Sequence, residues 1–190
     1  MSVEIKALSP VPGQLRPFVK FGNELYAGSP YYVPSMVMDD MQTLNPKKNP
    51  AYEYCRSQAF MAYRDGKPAG RILAIVNDVA NERSQRKQAR FGFVDFIDDA
   101  AVVDALFNAA EEWARKEGMT EMVGAMGFTD MDHEGMLIEG FEEMGTMATI
   151  YNYPYYPAHM ERMGYAKDVD WIEFRVEVPA EIPEKFQRIA

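Results

Sequence analysis

Two stretches of the chain gather more chemistry than packing alone requires. In Thr129-Asp130-Met131-Asp132-His133-Glu134, three carboxylates and an imidazole fall within five positions. Carboxylates beside an imidazole suit proton transfer, so Glu134 or Asp132 is the candidate base, and Asp132 is also placed to hold an ammonium group. The segment has neither the His/Cys spacing of a zinc site nor the full register of a calcium loop, and no metal is assigned. Its bland use is a solvated or capping loop. Further on, Ala148–Tyr156 reads ATIYNYPYY, with Tyr151, Tyr153, Tyr155 and Tyr156 within six positions around Asn152 and Pro154. A phenol joins a large apolar ring to a donor and an acceptor. Some of these rings must be core, yet Tyr151, Asn152 and Tyr153 together offer more polar groups than a core uses, and they are candidate ligand contacts.

These residues need elements to hold them. Val3–Ser9 alternates apolar and polar residues and predicts a first strand, closed by Pro10 and Pro12. Gln14–Tyr26 carries a broken helical face ended by Gly28, and the loop Ser29–Pro50 has a short helix near Met36–Met41. Ser57–Arg64 and Gly70–Asn77 flank Asp65-Gly66-Lys67-Pro68, a hairpin signal. Val79–Gln88 reads as helical or loose, and Arg90–Ile97 as a strand. The clearest helix follows, capped by Asp98 or Asp99, with Val102, Val103, Leu106, Phe107, Ala110, Trp113 and Ala114 on one face and Gly118 as its stop. Glu121–Met126 is a short strand, and 127–149 gives few periodic cues. Pro154 opens a helix to Met163, stopped by Gly164, and Val169–Val178 alternates as a long last strand. Phe186 and Ile189 mark the start of an amphipathic helix. The expectation is a domain over residues 1–178, with 179–190 beginning a C-terminal extension of a longer, truncated protein.

Composition narrows the partners. Apolar residues are 47% and charged residues 26% of 190, the balance of a folded domain. A formal charge of −9 argues against nucleic acid and anionic membrane, which are bound through Lys and Arg. Cys55 is the single cysteine, excluding an intrachain disulfide and pointing to a reduced, cytoplasmic setting. No signal-peptide pattern or membrane-length apolar run is present. The partner expected is a small-molecule ligand, with a homodimer as the oligomer to test for. The 14 methionines include Met119, Met122, Met126, Met136, Met144 and Met147 around the acidic loop, as adaptable packing or as a binding surface.

The hairpin FMAYRDGKPAGRILAIVN, the strand RFGFVDFI, a helix ending WARKEGMTEM and a late helix ending HMERMGYAKD lie within residues 58–178. Their order resembles the GNAT superfamily of acyl-CoA N-acyltransferases. GFVDFIDD, GFTDM…EG and ATIYNYPYY are similar to an uncharacterised bacterial GNAT-like family. The resemblance implies an α/β (α+β) fold: a mixed, mostly antiparallel sheet, flanked by helices on both faces and splayed between Arg90–Ile97 and Glu121–Met126. It implies acetyl-CoA or another acyl-CoA as donor and an amine as acceptor. The donor's pantetheine would run along Phe93, Val94, Asp95, Phe96 and Ile97, with Arg86 near its 3′-phosphate and a backbone N–H of Val94–Phe96 facing the oxyanion. Glu134 would be the base, Tyr156 or His159 the acid, and Tyr31, Tyr32, Asp132, Tyr151, Asn152 and Tyr153 the acceptor's surroundings. Two positions depart from the pattern. Ile97–Val103 has no glycine and no arginine where the family cradles a diphosphate, and Met160 stands where a tyrosine acid is common. The alternative function is a non-catalytic GNAT-shaped module that binds a small molecule or a protein.

Overall fold

The computed structural model describes residues 2–177, 180, 181 and 188. Its elements run β1 (Val3–Leu8), α1 (Pro12–Leu25), α2 (Val37–Thr43), a 3₁₀ turn at Pro50–Glu53, β2 (Cys55–Arg64), β3 (Lys67–Asn77), α3 (Asp78–Ser84), β4 (Gln88–Phe96), α4 (Ala100–Lys116), β5 (Glu121–Gly124) and α5 (Tyr155–Arg162). The five strands lie in chain order in one sheet, antiparallel from β1 to β4, with β5 parallel to β4. This is the mixed, mostly antiparallel α/β sheet expected.

Period-two alternation decides which side each residue serves. Phe60, Ala62, Ile72 and Ala74 pack with Val102, Val103, Leu106 and Phe107 of α4. Their sequence neighbours Ala59, Met61, Leu73 and Ile75 pack with Leu15, Phe18 and Val19 of α1. Both faces are therefore covered, which is why β3 is buried along nine consecutive residues. The β2–β3 hairpin turns on two residues, Asp65 (φ +50°) and Gly66 (φ +78°), so Lys67 and Pro68 already belong to the strand. Pro68 sits at the register shift beside Tyr63, where a missing N–H is tolerated. Asp99 caps α4 through Ala101 and Val102, and Gly118 (φ +83°) lies just past its end.

β4 carries the irregularity that shapes the site. Its register against β3 shifts between Leu73↔Gly92 and Arg71↔Asp95, and Phe93 takes φ +44° at the bulge. Pairing with β5 ends at Phe91↔Gly124, so β4 runs on alone on that side to Phe96. The expected splay is present. One expected strand is not: residues 169–177 form no regular element and join none of the five strands, and Val178 lies outside the described residues. The expected extension at 179–190 also lies largely outside them. No helix among the described residues is long and apolar enough to cross a membrane.

Candidate functional site

Where β4 leaves β5, a chain of buried polar groups meets its backbone. Arg71 on β3 and Asp95 on β4 form an ion pair, with Nη2 and Nε each 2.6 Å from Asp95 Oδ2. Arg71 Nη1 donates to the carbonyls of Phe18 and Val19 at 2.9 and 3.0 Å. Gly22 makes this possible, since a Cβ there would stand 2.6 Å from Arg71 Nη2. Burial works against the Arg71 charge, but Asp95 outweighs it and raises the guanidinium pKa above its usual range. Tyr26, just past the end of α1, donates to Asp95 Oδ1 at 2.8 Å, and its hydroxyl lies 2.6 Å from that of Tyr156 on α5. Tyr156 in turn accepts the Phe96 N–H at 2.9 Å. Asp95 takes the Tyr26 proton, so the Tyr156 proton points to Tyr26. Burial, then the Asp95 charge, pushes both phenols far above their ordinary pKa.

That accounting corrects the expected role of Tyr156. Its one proton is spent on Tyr26 and its acceptor on Phe96, so it presents no free donor to a ligand. Tyr155 donates to the Phe96 carbonyl at 2.7 Å, which closes the other polar group of the same residue. Of Phe93, Val94, Asp95, Phe96 and Ile97, expected to run beside a donor, Phe96 thus has both backbone groups occupied. Asp95 serves through its carboxylate rather than its backbone, and Ile97 N–H bonds Ala69. Phe93 and Val94 lie at the bulge.

The expected diphosphate cradle is filled as well. Asp99 Oδ1 accepts from Ala101 N at 2.9 Å and Val102 N at 3.4 Å, and Arg64 Nε is 3.3 Å from its other oxygen. Asp98 adds a second carboxylate, bonded to His159 Nε2 at 2.8 Å. The amides an anion would need are taken, and two negative charges stand in front of them. The residues at the start of α4 do not fit the diphosphate of coenzyme A. Arg86 pairs with Glu121 at 3.3 Å, across the β4–β5 seam.

The aromatic residues converge. The Tyr26 ring stands 4.9, 5.3 and 5.1 Å from those of Tyr32, Tyr151 and Tyr153. Tyr32 faces Tyr151 at 6.0 Å, so the two walls expected from distant segments do meet, with Tyr26 between them. Tyr31 joins differently: its carbonyl accepts from Gly145 N–H at 3.1 Å. Asn152 is a clamp. It accepts from Leu137 N–H at 2.7 Å and donates to Leu137 O at 3.0 Å, fastening the acidic loop's exit to the tyrosine segment. Its amide is spent on that clamp rather than held out to a ligand.

The acidic loop is less settled. Asp132 accepts from Thr129 N–H at 3.0 Å and lines a cavity of about 250 Å³ with Lys48, Phe128 and Thr129. His133 Nε2 is 2.8 Å from the Met147 carbonyl. Glu134 carries the one fully covered side-chain oxygen without a hydrogen-bond partner among the described residues. Burial raises its pKa, Arg90 opposes the shift, and Asp130 and Asp132 add to it. Cys55, buried and pushed up to about 11, is held as an unreactive thiol. Among the described residues no group of three or more candidate ligands could hold a metal.

Sequence reasoning missed Tyr26 and Arg71 altogether. The signal was there: Arg71 is the lone charge in AGRILAIV, and Asp95 the lone charge in FGFVDFI, on neighbouring buried strands. Each charge in such a run needs a partner, and each was the other's.

Comparison with known proteins gives two levels of likeness. Over 156 residues the chain is 33% identical to protein YghO of Escherichia coli K12, covering 82% of this chain and 40% of that protein. Over 178 residues it is 31% identical to the bacterial ceramide synthase of Caulobacter vibrioides, covering 93% of this chain and 46% of that protein. The chain therefore spans less than half the length of these curated relatives. No family model matches it. Among solved structures, a tandem GNAT protein from the clavulanic acid biosynthesis pathway superposes with TM-score 0.55 at 18% identity, over 86% of this chain and 43% of the other. An acetyltransferase from Clostridium acetobutylicum with acetyl-CoA gives 0.52 at 7% identity, over 92% and 96%. Such identities speak to fold alone, and the fold they share carries acetyltransferases. The five-stranded mixed sheet, its splay after Phe91 and the late helix α5 agree with them: this chain is a GNAT-fold domain.

Proposed function

We propose that the domain serves N-acyl transfer, joining an acyl thioester and an amine into an amide. The observation that carries the reading is Glu134, a carboxylate with a covered, unpartnered oxygen and a raised pKa, flanked by Asp130 and Asp132. A base with those properties has an open acceptor for an ammonium proton and a stronger pull on it than an ordinary carboxylate. The amine, once deprotonated by Glu134, attacks the thioester carbonyl. The C–N bond forms, the C–S bond breaks, and the thiolate leaves. With Tyr156 committed inward, the proton for that thiolate is assigned to the Nε2–H of His159, given up from its bond to Asp98 while Nδ1 faces Arg162 at 3.5 Å; the ring packs edge-on against Phe96 at 5.7 Å. The ceramide synthase among the relatives makes a product that is itself such an amide, of a long-chain amino alcohol. That likeness supports a lipid amine as acceptor. The carrier part of the donor is held away from the start of α4, because that position is filled by Asp99.

The test uses the full-length protein with palmitoyl-CoA and sphinganine, following the amide by mass spectrometry. Glu134→Gln is expected to lower turnover by about 10²–10⁴-fold, with His159→Gln reducing it less. Full activity in Glu134→Gln sinks the assignment of the base. A second reading is favoured by the closed Phe96 backbone and the Asp99 cap: a GNAT-shaped module without catalysis. Calorimetric titration of acyl-CoA separates the two. Micromolar binding upholds transfer, and silence up to millimolar together with no amide formed from palmitoyl-CoA and sphinganine upholds the module.

A further inference from the structure

The cavity beside the acidic loop, about 250 Å³, is lined by Gln42 and Thr43 from the end of α2, by Lys48 beyond it, and by Phe128, Thr129 and Asp132. Its walls are fixed by bonds made elsewhere. Asn49 donates to the Thr43 carbonyl at 2.9 Å and accepts from Ala51 N–H at 2.9 Å, which holds the α2 side in place. Phe128 is fully buried, and its carbonyl accepts from Asn77 Nδ2 and Arg90 Nη1, each at 3.2 Å. Asp132 Oδ2 is seated on the Thr129 N–H at 3.0 Å, over Gly127, where any Cβ would collide with it. Its Oδ1 takes no bond from the described residues. The two charges of the lining are opposite in sign, yet Lys48 and Asp132 form no ion pair among the described residues. Opposite charges sharing a small cavity attract. Held apart, they leave room for a molecule that carries both signs itself.

We propose that this cavity is a head-group pocket for a zwitterion, an ammonium group with a carboxylate or phosphate a few atoms away. Asp132 takes the ammonium and Lys48 the anion, with the Gln42 amide and the Thr43 hydroxyl as neutral partners. Its use as an acceptor pocket rests on the transfer reading above, but its binding chemistry does not. Asp132 and Glu134 are close enough for their charges to act on one another, so an amine seated at Asp132 is presented beside the base. The second charge narrows the acceptor. An amine without an anion leaves Lys48 unanswered, and an anion without an amine leaves Asp132 so. A zwitterion makes both charge-assisted contacts at once. The cavity holds a head of amino-acid size, and a free amino acid and a lipid with a zwitterionic head present the same chemistry to it.

Calorimetric titration of the 190-residue chain tests this with L-serine, serinol and propionate, which carry both charges, the amine alone and the anion alone. L-Serine should bind about tenfold more tightly than either of the others. Lys48→Met should weaken L-serine by about tenfold and leave serinol as it is, whereas Asp132→Asn should weaken both amines. A fourth titrant, 2-aminododecanoic acid, puts the same head on an apolar chain. Tighter binding than L-serine assigns the head to a lipid, and binding no tighter assigns it to a free amino acid. Serinol as tight as L-serine overturns the proposal. So does L-serine binding that Lys48→Met leaves unchanged, or the absence of L-serine binding throughout the millimolar range. Each titration proceeds without an acyl donor, so loss of the Glu134 reading and loss of this one are told apart.

Discussion

The corner at Phe96 and the loop at Glu134 handle buried polar groups in opposite ways. At the corner, Arg71, Asp95, Tyr26 and Tyr156 satisfy one another in a closed chain from β3 to the β4 backbone. At the loop, Glu134 has an oxygen covered and left without a partner. Satisfied networks hold a structure in one arrangement, whereas an unsatisfied buried acceptor costs stability and is kept where a ligand or a proton will complete it. The difference sets a satisfied network on the aromatic side against an unmet buried acceptor on the acidic side. Composition alone invites the reverse, since the tyrosine cluster is the more unusual sequence.

The largest effect should come from breaking the corner's charge pair. Asp95→Ala leaves the Arg71 guanidinium buried with two backbone carbonyls and no counter-charge, and should cost about 3–5 kcal/mol in urea unfolding. The double change Arg71→Met with Asp95→Leu removes both charges and should cost much less. If the single and double variants lose equal stability, the network is not the closed unit described above. Next in size is Tyr26→Phe, which strips one donor from Asp95 and leaves the Tyr156 proton without its acceptor. A loss of about 1–3 kcal/mol is expected. A loss near zero would show that water replaces the hydroxyl and that the corner is open to solvent.

How much of this was legible follows from where the information sits. Period-two and 3.6-residue patterns are local, so the β2–β3 hairpin, β4, α4 and α5 could be read within a few residues of their ends. The alternation at 169–178 was legible as a pattern, yet residues 169–177 join none of the five strands and Val178 lies outside the described residues. At the site, the resemblance implied that Tyr32 and Tyr151 surround one ligand; that their rings meet at Tyr26 was not anticipated. Tyr26 looked like the end of a helical stripe. Only its distance to Asp95, 69 positions away, makes it polar machinery. The direction of the Tyr156 proton is likewise a property of four residues on four elements, and no spacing in the sequence encodes it.

A smaller effect tests the filled helix start. Asp99→Ala removes the acceptor for Ala101 and Val102 and should cost about 1 kcal/mol. It also exposes the amides that an anion would use. Weak or absent coenzyme A binding in the parent, strengthened in Asp99→Ala, would show that the carboxylate is what excludes a diphosphate. Unchanged binding would place the donor's phosphates elsewhere in both proteins.

The smallest effect has the most informative sign. Burial raises the Glu134 pKa in the folded chain, with the Asp130 and Asp132 charges adding to it and Arg90 opposing. As pH rises from the acid side, the unfolded chain therefore gives up this proton first, and the folded chain holds it until its own higher value. Stability that Glu134 contributes when protonated is lost across that interval. Glu134→Gln has no such proton, so it should match the parent at the acid end and exceed it above the raised value. Solvent around the rest of the carboxyl limits the gain to about half a kcal/mol or less. Thermal unfolding of both proteins across the acid range measures it. A parent that gains on the variant as pH rises would mean that Arg90 holds Glu134 as a stabilised carboxylate. The contrast between a settled corner and a reactive loop would then collapse, and with it the choice of Glu134 as the base.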